Sequence, residues 1–136
     1  MRKLKTYIVE DSQVIRESLI ATLEELTPVK VVGTAESEAA ATQWLASSDH
    51  PVDLVIVDIF LKSGSGLGVL RSVQTLPGHR NIVVLSNYAT ADIRRKCLEL
   101  GANRVFDKSN EIDALMDYCN ALPTGDTGGV NPTAAL

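Results

Sequence analysis

No apolar run in the 136 residues approaches the ~18 that a membrane helix needs, so the sequence offers no transmembrane span. Met1-Arg2-Lys3 leads straight into a short strand pattern, not into an apolar h-region with a small-residue cleavage site, which removes a signal peptide. Cysteine is scarce. Cys97 and Cys119 both fall at core-like helical positions, which favours buried reduced thiols over a disulfide or a metal site. Aromatic residues make up only 4%. The two histidines, His50 and His79, sit in loop-like segments with nothing to mark them as ligands. Internal repeats are absent. The net charge of −4 weighs against direct nucleic-acid binding. These absences point to a cytoplasmic protein with no membrane partner. With 45% hydrophobic and 22% charged residues, the length fits one domain that folds without staples or metal.

What the sequence does contain is alternation. Lys5 to Val9 is a short β-rich run that ends at Glu10-Asp11-Ser12. Ile15, Leu19, Leu23 and Leu26 then recur at helical spacing; Asp11 or Ser12 can cap that helix, and Glu17 favours its first turn. Pro28 ends it. Val29 to Gly33 reads as a second strand and Glu36 to Ser47 as a second helix, with Trp44 in the core or at its edge. Val52 to Val57 is the strongest strand signal, continuously apolar after Asp53 as expected of a parallel strand covered on both faces. Asp58 stands directly at its end. Gly64 and Gly66 in the following loop supply unusual backbone angles. A third helix carries Leu67, Leu70 and Val73. Ile82 to Leu85 is a fourth strand ending at Ser86-Asn87, and Thr90 to Leu100 a fourth helix capped by Gly101. Its Arg94-Arg95-Lys96 run reads as a solvated face. Asn103 to Phe106 is a fifth strand, followed by Asp107-Lys108-Ser109 and a last helix from Ile112 to Leu122. Residues 123–136 lack periodicity and read as a disordered tail, leaving one domain over 1–122.

Five such alternations imply an α/β fold: a doubly wound, five-stranded parallel sheet of flavodoxin-like type. Sheets of this kind place ligands at the C-terminal strand ends, at the topological switch point. That rule gathers Glu10, Asp11, Asp58, Ser86 and Lys108 on one edge. Crowded carboxylates need positive charge. Two of them ~4 Å apart repel by about 4 kcal/mol at an effective dielectric of 20. An all-oxygen cluster suits Mg²⁺, and Lys108 adds a fixed cation. A carboxylate nucleophile, a metal, a lysine and a hydroxyl are the parts of a phosphoryl-binding site.

With these residues the sequence resembles the receiver domains of two-component response regulators. Val9-Glu10-Asp11, Val57-Asp58, the Gly64-x-Gly66 turn, Ser86 and Lys108 match in order and spacing, over about residues 5–122. The resemblance implies that Asp58 takes a phosphoryl group from a histidine kinase or phosphotransfer protein. It implies that Asp11 binds Mg²⁺ directly and Glu10 through water, and that Asp58 and the Phe60 backbone carbonyl complete the metal's shell. It implies too that Lys108 contacts the acyl phosphate and that Ser86 swings toward it as a switch. Phe60 and Tyr88 flank the path of the attacking water, so these two bulky side chains imply slow self-dephosphorylation. Donor docking is expected near Val14 and Ser18. The fourth helix, fifth strand and last helix form the expected readout surface for a downstream protein, in a monomer or weak dimer.

Several positions depart from the family pattern. Glu10 replaces the commoner aspartate, Lys62 stands where many members have proline, and Asn87 where a small residue is usual. Ser109 follows the lysine in place of proline, so a cis Lys-Pro bond cannot form. Val105 occupies the place of the aromatic switch residue, three positions before the lysine, with Phe106 and Tyr88 the nearby aromatics that can stand in. No helix-turn-helix pattern follows, which gives the expectation of a stand-alone phosphoacceptor. A receiver cut from a longer DNA-binding regulator is the alternative. A phosphatase with an aspartyl nucleophile needs a second aspartate where Phe60 stands. A flavodoxin-like cofactor binder needs a phosphate loop after the first strand, where the acidic pair stands instead.

Overall fold

The computed structural model describes residues 3–47, 49–78 and 80–123. His79 and, of the expected tail over 123–136, residues 124–136 lie outside them. The chain runs β1 (Leu4–Val9), α1 (Gln13–Leu26), β2 (Val29–Ala35), α2 (Glu38–Ala46), β3 (Leu54–Val57), α3 (Gly66–Gln74), β4 (Asn81–Ser86), α4 (Ala91–Glu99), β5 (Arg104–Asp107) and α5 (Ile112–Ala121). All strand pairs are parallel, in the order β2-β1-β3-β4-β5. The order reverses between β1 and β3, which is the switch point of a doubly wound sheet.

Period-two alternation sorts the strands' apolar side chains into two layers. Val55, Val57, Ile82, Val84 and Val105 face α2, α3 and α4, where they meet Ala41, Val69, Leu70 and Cys97. Leu54, Ile56, Val83, Leu85 and Phe106 face the opposite way and pack on Leu19, Leu23, Leu115 and Cys119 of α1 and α5. The two cysteines are thus free, buried and on opposite sides of the sheet. Among the described residues every buried side-chain nitrogen and oxygen has a partner. No helix there is long and apolar enough to cross a membrane.

Short polar residues start four of the helices. Ser12, Ser37, Ser65 and Thr90 accept backbone N–H groups two or three residues ahead. Ser12, and not Asp11, caps α1, and Glu17 lies beyond its first turn, bonded to Gln13 Nε2. The second strand extends to Ala35, so α2 starts two residues later than the alanine pattern suggests. Gly64 has the left-handed φ of 84° expected of it, but Gly66 does not. Gly66 is needed for closeness instead: a Cβ there would lie 2.2 Å from the Asp58 carbonyl oxygen. Trp44 is partly buried and stacks between Tyr7 and His50, with ring centroids 4.1 and 4.0 Å away.

Candidate functional site

Two adjacent strands carry the acidic groups. Glu10 N donates to Ala35 O and Asp58 N donates to Val9 O, each at 2.9 Å, so sheet hydrogen bonding continues one residue past β1 and β3. This extension brings the carboxylates of Glu10, Asp11 and Asp58 to the switch point with ligand oxygens within 4.8 Å of one another. Gly66 lets α3 close on the Asp58 backbone, with its N–H on Ile59 O at 3.0 Å.

Each carboxylate is aimed by a donor. Asp58 Oδ1 accepts the Phe60 N–H at 3.1 Å, Glu10 Oε2 accepts the Ser12 N–H at 3.0 Å, and Asp11 Oδ2 accepts the Lys62 N–H at 2.6 Å. Lys108 enters from the end of β5. Its Nζ bridges Glu10 Oε1 at 2.6 Å and Asp58 Oδ2 at 2.9 Å. Glu10 and Asp58 are buried, and the Lys108 side chain is only 10% exposed. Burial pushes the Glu10 carboxyl above the usual carboxylate range, against the bond from Lys108. Burial opposes the charge on Lys108, but its bonds to Glu10 and Asp58 outweigh this and hold its pKa above the ordinary value. One lysine does not balance three carboxylates, so the cluster still lacks positive charge.

Ser86 is buried at the end of β4, and its hydroxyl oxygen accepts the Tyr88 N–H at 3.1 Å. Its carbonyl accepts the Lys108 N–H at 2.9 Å, which ties β4 to the lysine's strand end. Phe60 and Tyr88 meet edge to face, 5.4 Å between centroids at 85°, and remain 49% and 65% exposed. Glu10, Asp11, Asp58, Ser86 and Lys108 therefore gather at one edge, and Phe60 and Tyr88 follow directly from it. Val105 points into the α4 layer, where it is buried. Phe106 cannot stand in for an aromatic there. It faces the other layer, against Tyr118 and under the Arg104 guanidinium.

Two residues escaped the sequence reading. Arg16 donates to the Glu10 carbonyl at 2.8 Å and to Glu36 at 2.9 Å, bracing the turn after β1. Arg94 does not belong to a solvated run. Arg95 and Lys96 are exposed, but Arg94 folds back onto the Ala89 and Val105 carbonyls and Glu111. The only sequence hint was its place one turn into α4, close behind the loop it grips.

The model of the response regulator receiver domain matches residues 6–120. The chain belongs to that family. It is 24% identical over 125 residues to the fimbriae Z protein of Salmonella typhimurium, covering 92% of this chain and 59% of that one. It is 32% identical over 125 residues to a probable transcriptional regulatory protein of Picosynechococcus, covering 88% and 49%. The chain thus spans about half the length of the curated relatives it matches. A response regulator from Burkholderia pseudomallei, solved with a phosphorylated aspartic acid, a calcium ion and citrate, superposes with a TM-score of 0.75 at 19% identity, covering 88% and 68%. Receiver domains act in two-component signalling with histidine kinases or phosphotransfer proteins, bind Mg²⁺ through an acidic pocket, and are generally not enzymes. The all-oxygen donor set of Glu10, Asp11 and Asp58 fits that ion.

Proposed function

We propose that Asp58 is the phosphoacceptor of a two-component phosphorelay. The observation that carries this reading is the Asp58 carboxylate held between the Phe60 N–H and Lys108 Nζ, inside a three-carboxylate cluster at the switch point. An Asp58 oxygen attacks the phosphorus of a phosphohistidine. The O–P bond forms as the P–N bond breaks, and the electron pair leaves with the imidazole nitrogen, which takes a proton. Glu10, Asp11, Asp58 and the Phe60 carbonyl would hold Mg²⁺, which when bound supplies positive charge to the phosphoryl oxygens. Lys108 leaves its bridge to contact the acyl phosphate, and the Ser86 hydroxyl turns to donate to it.

The donor docks on α1. A groove of about 380 Å³ lined by Val14, Ile15, Ser18, Lys108 and Ile112 runs from that helix to the lysine beside Asp58. Val14 is 78% exposed, an apolar contact beside the site. The Phe60–Tyr88 pair screens the acyl phosphate from water and slows its hydrolysis. The phosphorylated form then binds a downstream protein or passes the group on, in the cytoplasm.

Acetyl phosphate with Mg²⁺ tests the central step. Mass spectrometry should find one phosphoryl group on the wild type and none on Asp58→Asn; full labelling of the variant overturns the assignment. A second reading, favoured by the lengths and names of the relatives, makes this the receiver part of a DNA-binding regulator. Reading the gene past the codon for Leu136 decides between them.

A further inference from the structure

Arg94 directs each of its three guanidinium nitrogens to a separate part of the molecule. Nε donates to Ala89 O at 3.0 Å, Nη1 to Val105 O at 3.0 Å and Nη2 to Glu111 Oε1 at 2.7 Å. Ala89 lies in the loop that leaves Ser86. Val105 is the β5 residue beside the α4 layer, and it offers its carbonyl here. Glu111 directly precedes α5. Its same oxygen also accepts the Asp107 N–H at 2.8 Å.

The start of α5 is built unlike the others. Among the described helices, α5 alone begins without a side-chain cap, because its N-cap residue Glu111 turns back toward Arg94 and Asp107. Arg94 in turn holds the Glu111 carboxyl below the usual carboxylate range. This helix end is therefore held from two sides, by Asp107 at the end of β5 and by a guanidinium on α4. At the other end of the chain of contacts, the loop hangs from the Ser86 hydroxyl through the Tyr88 N–H. A continuous path of hydrogen bonds and one loop residue links Ser86, Tyr88, Ala89, Arg94 and Glu111.

A guanidinium is a planar fork with fixed donor directions. It cannot follow one acceptor without leaving another. A shift of about 1 Å in the loop takes a 3.0 Å bond out of range. Resting on the phosphoacceptor reading above, we propose that Arg94 is the positioning residue that carries the state of Asp58 to the N terminus of α5. When the Ser86 hydroxyl turns to a phosphoryl group it drops the Tyr88 N–H. The loop then moves, Arg94 re-sorts its three acceptors, and Glu111 and the first turn of α5 shift with it. The relay needs no aromatic side chain at position 105.

The test uses the full chain with Mg²⁺ and beryllofluoride, a phosphoryl mimic, followed by amide NMR. In the wild type, shifts are expected at Ser86 and Lys108 in the site, and at Ala89, Glu111 and Leu115 along the path. In Arg94→Met the site shifts persist while those at Glu111 and Leu115 shrink at least threefold. A merely structural arginine would lower the melting temperature and leave the α5 shifts intact, and that result overturns the proposal. Glu111→Gln, which keeps an acceptor but not the charge, provides a second variant should the first not fold. It should retain the Ala89 shift and weaken the Leu115 shift; an unchanged Leu115 shift overturns the relay. If the wild type shows no shift at Ser86 or Lys108, the phosphoacceptor reading fails and the relay with it.

Discussion

The carboxylate corner and the α4–β5–α5 edge both hold ion pairs, but they hold them differently. In the corner, the Lys108, Glu10 and Asp58 side chains are 10%, 3% and 8% exposed, and Lys108 bonds both carboxylates directly. At the edge, Arg94 and Glu111 are 37% and 36% exposed, and Arg94 gives two of its three bonds to backbone carbonyls. Moving a buried charge off its partner leaves it in a low dielectric, whereas a half-exposed group takes water in exchange. The corner therefore stays closed until Lys108 is offered a new partner of opposite sign. The edge can re-sort its bonds at small cost, as a relay requires.

The sharpest way to break this contrast is Lys108→Ala. It strands two buried carboxylates and should lower stability by about 3 kcal/mol in urea unfolding; a loss under about 1 kcal/mol shows a corner that water already enters. Gly66→Ala comes next. Its methyl group has no room beside the Asp58 carbonyl, so a loss of about 1–3 kcal/mol is expected, together with weaker phosphoryl labelling. Stability loss with full labelling would separate the packing from the site. Phe60→Asn with Tyr88→Ala should speed loss of the phosphoryl group several-fold, read by the decay of the labelled mass. An unchanged rate ends the screening idea.

At the edge, the Glu111 carboxyl is held below its ordinary value by Arg94. A depressed carboxyl contributes stability that is present above the unfolded value and lost as pH falls through the folded one. Arg94→Met should therefore move the Glu111 titration midpoint upward in side-chain NMR; no movement means the pair is not formed in solution. The smallest effect belongs to Asp92→Ala. The Arg95–Asp92 pair is 66% and 85% exposed, so its removal should change stability by about 0.5 kcal/mol or less. A larger change would show that Asp92 acts on the first turn of α4, where it sits, as well as on Arg95.

The corner was legible in sequence because each of its residues ends a buried apolar run or lies within two residues of one. Asp58 after Leu54–Val57 needs only the strand's end and the switch-point rule to be placed. Arg94 was not legible. A basic residue on a helix reads the same whether it points to water or folds back onto two carbonyls, and only the tertiary positions of Ala89 and Val105 decide. Gly66 is legible only in part, because G-x-G spacing does not distinguish a turn that needs an unusual backbone angle from a close approach. Phe106 was legible in part. Strand alternation allows one of Val105 and Phe106 to face the α4 layer, and the core on each side shows which.

The cysteines give this architecture its own reporters. Cys97 belongs to α4 and its layer, Cys119 to α5 on the far side of the sheet, and both are fully covered. Burial pushes the Cys119 thiol up to about 11 and raises that of Cys97 as well. Neither sulfur reacts until its own helix lifts. Timed alkylation of the unmodified protein thus supplies two independent clocks, one for each helix flanking β5.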